Sequence, residues 1–187
     1  MSIEIPKFNI VQKDGKFEIR EYQEYINASV EIESDFNSAL NEGFRILADY
    51  IFGNNRAKTS IAMTAPVTEQ AVKSEKIEMT APVTSAKVGK DKRYLISFTM
   101  PAKYDLATLP EPVNKTISIH KVAAHKAAVL KFSGYLNEKI TAKKTQELEE
   151  WLKKSNLQAK DDFIVAQYNP PWIPGLFRKN EIIGNLL

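Results

Sequence analysis

The sequence predicts one α+β domain spanning residues 1–187, built as two similar halves that each carry one helix beside mainly antiparallel strands. Three observations lead there. Apolar and polar residues alternate in several short runs, the period of strands with one buried face. Two longer stretches repeat apolar residues at helical spacing. The order strands, helix, strands then occurs twice along the chain, which makes the halves related in architecture.

Taken in order, Asp14-Gly15 separates Phe8-Asn9-Ile10-Val11 from Phe17-Glu18-Ile19, a hairpin whose turn suits positive φ. Ile26, Ala28, Val30 and Ile32 alternate with Asn27, Ser29, Glu31 and Glu33 in the next strand. Ser34 or Asp35 caps the first helix and Gly53 ends it. Phe36, Leu40, Phe44, Leu47 and Ile51 form its apolar stripe, widened by Ile46 and Tyr50. Asn41, Glu42, Arg45 and Asp49 occupy the opposite face, which the pattern turns to water.

Residues 61–68 and 77–84 read as two short strands. Both carry Met-Thr-Ala-Pro-Val-Thr, and a proline inside a strand belongs at an edge or bulge because it has no N–H to donate. The first reading of this duplication is structural; the second is that Met63 and Met79 offer thioether surface to a flat apolar ligand. Tyr94, Ile96, Phe98 and Met100 alternate before a proline-rich loop. From Ile117 to Phe132 the chain reads as a strand region bent near Ala123-Ala124 and broken at Gly134. A second helix follows from about Asn137 to Ser155, with Ile140, Leu148, Trp151 and Leu152 inward. Glu149 and Glu150 precede Lys153 and Lys154 by one turn, the favourable order for exposed pairs. Phe163–Tyr168 and Glu181–Leu187 close the chain as strands.

Composition narrows the function. Apolar residues make up 43% and charged residues 26%, so the chain folds rather than staying disordered. With no cysteine there is no disulfide scaffold, thiolate metal site or cysteine nucleophile. The start lacks the pattern of a signal peptide, and no window suits a membrane span. A net charge of +3 spread among glutamates is no nucleic-acid footprint. Glycine-rich phosphate loops, His-Glu-x-x-His and Gly-x-Ser-x-Gly are all missing, so no catalytic residue is nominated. His120 and His125, five apart on a strand, are read as surface or groove-edge residues rather than a ligand pair. One polar alternative stays open: Glu18, Glu21 or Glu181 acting with Tyr22 or Tyr168, which needs a carboxylate perturbed by burial.

The most informative loop is Tyr168-Asn169-Pro170-Pro171-Trp172-Ile173-Pro174-Gly175-Leu176-Phe177-Arg178-Lys179-Asn180-Glu181. Proline stiffens it, yet it carries four large apolar side chains that need a partner. It either packs on its own domain or forms the lid of a groove. With the duplicated Met-Thr-Ala-Pro-Val phrase, Glu18-Ile19-Arg20-Glu21-Tyr22, the helix from Phe36 and Phe132-Ser133-Gly134, this loop resembles the SOUL haem-binding family from about residue 17 onward. That resemblance implies a distorted antiparallel β-barrel of two pseudo-symmetric halves, each with one packed helix. It also implies haem or a related tetrapyrrole in an apolar groove between the first helix and the loop before the last strand. The corresponding ligand-binding residues are Leu40, Asn41, Phe44, Arg45 and Ala48 on the helix, with Trp172, Ile173, Phe177 and Arg178 on the loop. Arg45 and Arg178 are the expected propionate partners. One family branch has a histidine, proposed to ligate iron, where this chain has Glu21, and no metal ligand is assigned. The architecture also resembles bacterial effector-binding domains, in which a buried glutamate meets amphipathic cations.

The expectation is therefore a cytoplasmic, monomeric protein that holds a tetrapyrrole or another amphipathic small molecule as a carrier or buffer, without catalysis. Haem is expected as a ligand that folding does not require. The alternative is an effector-binding protein or hydrolase-like enzyme with a buried glutamate between the halves.

Overall fold

The computed structural model describes residues 3–58, 74–89, 92–160, 162–170 and 172–187. The strands are β1 (Phe8–Asp14), β2 (Phe17–Tyr22), β3 (Tyr25–Glu33), β4 (Asn55–Arg56), β5 (Val83–Lys87), β6 (Arg93–Thr99), β7 (Glu111–Pro112), β8 (Ser118–Val122), β9 (His125–Phe132), β10 (Ile164–Gln167) and β11 (Asn180–Asn185). Helix α1 (Phe36–Ile51) follows β3, and α2 (Glu138–Lys154) follows β9. Nine strands form one antiparallel sheet in the order β1-β2-β9-β11-β10-β5-β6-β3-β8, while β4 and β7 pair separately.

That order is symmetric about the β10–β5 pair. Moving outward, β11, β9 and β2 on one side match β6, β3 and β8 on the other. In each half the helix follows the matching strand, α2 after β9 and α1 after β3. The sheet also curls closed. The runs β2–β3 and β8–β9 each break for two residues, at Gln23-Glu24 and Ala123-Ala124, and pair with each other on both sides of the break. Tyr22 lies opposite His125, and Tyr25 opposite Val122. The bend expected near Ala123-Ala124 is thus where one ribbon passes from the first half to the second.

The two helices dock on the outer face. Asp35 caps α1 by accepting from the Asn37 and Ser38 N–H groups at 3.2 and 3.1 Å. Gly53, with φ of +128°, takes the chain past its end. Gly43 sets the approach, because a Cβ built there would lie 2.5 Å from Ile96 Cγ1. Ala39, Leu47, Tyr50 and Ile51 are buried with Ala28, Val30, Ile96 and Phe98. Phe44, read from the sequence as part of this core stripe, stays 37% exposed. The helix touches the sheet along Ala39 and Gly43, leaving Leu40 and Phe44 at the rim. Asn137 caps α2, accepting from Ile140 N–H at 2.9 Å. Leu148 and Leu152 cover Ile19, Leu130 and Ile182.

The second copy of the duplicated phrase departs from expectation. Its strand begins at Val83, and Ile77–Pro82 lies outside the ladder. The backbone there ties separate segments instead: Ile77 N–H donates to Ile51 C=O and Ala81 N–H to Glu4 C=O, both within 2.9 Å. Thr80 Oγ1 donates to Thr99 C=O. The first copy, residues 61–68 with Met63, lies outside the described residues. Among the described residues no helix is long and apolar enough to cross a membrane.

Candidate functional site

Strand alternation places two different surfaces on opposite sides of the sheet. Ile19 faces α2, so Glu18, Arg20 and Tyr22 on either side of it face the interior between the halves. Glu181 on β11 faces the same space. Arg20 is the hub. Its Nη2 and Nη1 donate to Glu181 Oε1 and Oε2 at 2.8 and 3.0 Å, a bidentate pair. Its Nε and Nη2 donate to Glu18 Oε2 at 2.8 and 2.6 Å, and Nη1 donates to Tyr22 Oη at 3.0 Å. Tyr168 donates to Glu181 Oε2 at 2.5 Å, and Lys131 reaches Glu18 Oε1 at 3.1 Å. The Phe8 ring covers the guanidinium at 4.2 Å.

This network is charge-balanced and almost dry. Two carboxylates face two cations, and Arg20, Glu18 and Glu181 are each at most 2% exposed. Burial alone would raise the Glu18 carboxyl, but hydrogen bonds from Arg20 and Lys131 outweigh it and hold the group below the usual carboxylate range. Burial works against the charge on Arg20, yet Glu181 raises its pKa well above normal. Burial pushes the Tyr168 hydroxyl up, and the neighbouring Glu181 charge adds to that.

Beside the network lies a cleft of about 50 Å³, lined by Phe8, Tyr22, Tyr25, His125, Tyr168 and Asn185 among others. His125 stacks on Tyr22 at 5.3 Å between ring centroids, and its Nδ1 lies 2.8 Å from Ala123 C=O. Burial pushes Tyr25 up to about 12. Asn185 Oδ1 is buried without a hydrogen-bond partner. The cleft is far smaller than the roughly 300 Å³ at which small-molecule pockets begin. A tetrapyrrole does not fit in this cleft in this conformation.

The polar alternative read from the sequence is thus partly assembled: Glu18, Glu181, Tyr22 and Tyr168 meet in one network. Glu21 does not join it, pairing instead with Lys126 on the surface at 3.1 Å. Arg20, which ties the network together, was not among the candidates. The signal was present, because one apolar residue, Ile19, between Glu18 and Arg20 on a strand forces both charges to the same face.

The candidates on α1 and on the loop before β11 lie outside this network. On α1, Ala48 is buried, Leu40 half-buried, and Asn41 and Arg45 exposed beside Phe44. On the loop, Trp172, Leu176 and Phe177 are 78, 82 and 74% exposed, while Ile173 and Arg178 are half-buried. Exposure here does not mean an unheld backbone. Arg178 Nε donates to Ile173 C=O at 2.7 Å and its guanidinium covers the Tyr135 ring at 4.6 Å. Gly134 N–H donates to Gly175 C=O, and Lys179 N–H to Asn169 Oδ1, at 2.9 and 2.6 Å. Next to Tyr135, Leu136 packs on the core that includes Leu40. Residues 134–136 therefore bridge the loop and the α1 side.

The cations of these two segments are Arg45, Arg178 and Lys179. Neither histidine lies on α1 or the loop, and no group of three metal-ligating side chains occurs among the described residues.

The curled antiparallel sheet, duplicated about its centre with one helix per half, defines an α+β barrel-like class of fold. The chain belongs to the SOUL heme-binding protein family, whose model matches residues 3–184. It is 27% identical to Heme-binding protein 1 of Xenopus laevis over 173 residues, 91% of this chain and 84% of that protein. A shorter match, 45% over 56 residues, covers 29% of this chain and 27% of Heme-binding protein 2 of Homo sapiens. Among solved structures, the EcmrR C-terminal domain superposes with a TM-score of 0.62 at 14% identity, covering 91% of this chain and 96% of that one. A hydrolase from Listeria innocua superposes at 0.59 with 9% identity, covering 95% and 94%. At such identities these two likenesses establish the fold alone.

Proposed function

We propose that this protein binds haem or a related tetrapyrrole on the open surface between α1 and the Trp172–Arg178 loop, acting as a carrier or buffer without catalysis. The observation that carries this reading is the loop itself: a held backbone presenting Trp172 and Phe177 at 78 and 74% exposure. Large apolar groups fixed in water mark a surface that works by being covered. Leu40 and Phe44 supply the facing side, and Ile173 and Phe177 the lid. Arg45 and Arg178 take the propionates. Burying a flat macrocycle contributes several kcal/mol at roughly 25 cal/mol per Å² before association costs. With no histidine on this surface, affinity comes from the macrocycle and its carboxylates rather than from the metal. Bound haem supplies an iron redox centre; the residues here position its ring and carboxylates.

Titration with haemin and with iron-free protoporphyrin, followed by Soret absorbance and tryptophan quenching, tests this. Saturable one-to-one binding of both, weakened by Trp172→Ala and Phe44→Ala, is the expected result. Binding that neither substitution changes would remove this surface from the reading, and no saturable binding of either would remove the tetrapyrrole.

The interior favours a second reading through one observation, the unpartnered Asn185 Oδ1 beside an aromatic-lined cleft. In it the cleft opens to take a small amphipathic effector. Saturation by such a molecule, lost on Tyr168→Phe and indifferent to Trp172→Ala, would favour this reading over the first.

A further inference from the structure

The loop carries exposed apolar surface that the tetrapyrrole reading does not use. Leu176, the most exposed large side chain of the loop at 82%, has no part in the tetrapyrrole surface. Leu176 and Phe177 stand on a turn of 3-10 helix, Gly175–Phe177, with Trp172 three residues before it. Tyr135, 60% exposed, lies at its foot, against Gly175.

Their chemistry is that of an interfacial anchor. Tryptophan and tyrosine settle at the headgroup level of a bilayer, and leucine and phenylalanine reach past it. Residues 168–180 carry Arg178 and Lys179 and no carboxylate. Glu181, the next acidic residue, is wholly buried and bonded to Arg20 and Tyr168, so it presents no charge to an approaching surface. Lys179 is exposed, with its ammonium 4.3 Å from the Tyr168 ring. A protein partner would have to offer a shaped apolar site to these side chains, whereas a bilayer accepts them without shape. The hydrogen bonds of the loop backbone hold it in place before contact, which reduces the ordering cost of insertion.

We infer that the Trp172–Phe177 loop docks the protein peripherally on anionic lipid bilayers, inserting Trp172, Leu176 and Phe177 while Lys179 and Arg178 meet lipid phosphates. No spanning segment is involved. The inference shares the loop with the proposed tetrapyrrole surface but does not depend on haem.

The test uses the haem-free protein with phosphatidylcholine vesicles, with and without phosphatidylserine, measured by flotation and by tryptophan emission. Saturable binding with a blue shift is expected on the phosphatidylserine vesicles, weaker by about tenfold on pure phosphatidylcholine. Replacing Trp172, Leu176 and Phe177 together by serine abolishes binding. These side chains are largely exposed, so the variant folds; far-UV circular dichroism and the stacked Trp151 report that it has. Leu176→Ser alone weakens vesicle binding and leaves haem affinity unchanged, whereas Phe44→Ala does the reverse. The two readings therefore fail separately. No partition onto either vesicle, or partition that survives the triple substitution, overturns the inference. Saturable capture of a purified protein partner in the absence of vesicle binding would also overturn it.

Discussion

Arg20 and Glu181 form a bidentate pair, at 2.8 and 3.0 Å, between strands that are not neighbours. β9 lies between β2 and β11 in the sheet, so the two side chains meet over β9 on its inner face. The pair therefore fixes how sharply the sheet curves there, and Glu18 and Tyr168 extend it along β2 and toward β10.

Breaking this hub from one side is expected to be severe. Arg20→Met leaves Glu18 and Glu181 buried without their shared cation and should cost about 3–5 kcal/mol in urea unfolding. Adding Glu181→Leu should recover part of that loss, since an apolar pair needs no charge compensation. A cost below about 1 kcal/mol for Arg20→Met would show that water reaches the carboxylates as readily as at the surface.

The same network sets the pH range of stability. The Glu18 pKa is lowered in the folded protein, so its contribution is present above the unfolded value and is lost as pH falls through the folded one. Stability should therefore decline as pH falls from the usual carboxylate range toward the lower folded value, and Glu18→Gln should flatten that arm. Tyr168 is shifted the other way: its stabilisation is full below the unfolded phenol value, near pH 10, and declines above it. Tyr168→Phe should make the alkaline arm shallower. Unfolding free energy measured across pH for both variants checks both signs.

Helix α1 carries a steric prediction. Alanine normally stabilises a helix by about 1 kcal/mol over glycine. At Gly43 the new methyl would lie 2.5 Å from Ile96 Cγ1 and 2.6 Å from its Cβ. Ile96 is fully buried on β6 and has nowhere to move. Gly43→Ala should therefore destabilise, by about 1–3 kcal/mol of overpacking less the helical gain. A higher melting temperature would mean that α1 can lift from the sheet without penalty.

Much of this architecture was legible because periodicity reports local structure. Alternation located β3 and β6, and Asp35, Gly53 and Asn137 bounded the helices. What stayed hidden were relationships between distant segments. Nothing local distinguishes a bend at Ala123-Ala124 from a ribbon that changes halves there. Ile77–Pro82 resembles a strand, yet its N–H groups serve Ile51 and Glu4, partners that no window on the sequence contains. Phe44 fits the helical stripe, but Gly43 rather than Phe44 marks the line of closest approach. The loop was readable as apolar and stiff, whereas its exposure depends on Arg178 turning back to Ile173 and Tyr135.

Arg178 therefore separates charge from position. Its Nε holds Ile173 C=O while its planar head covers Tyr135, a combination that a lysine ammonium cannot reproduce. Arg178→Lys keeps the charge offered to a propionate and removes the brace. Because the loop stands outside the core, the unfolding free energy should change by about 0.5 kcal/mol or less. Affinity for protoporphyrin should fall about tenfold, equivalent to about 1.4 kcal/mol. Arg178→Gln, which loses both charge and brace, should fall further, and only this variant should lose part of the salt dependence of binding. Equal affinities for Arg178→Lys and the parent would show that charge alone matters at this position. Equal losses in the two variants, with salt dependence intact, would show that Arg178 acts by shaping the loop and that the carboxylates of the ligand are met by Arg45 and Lys179.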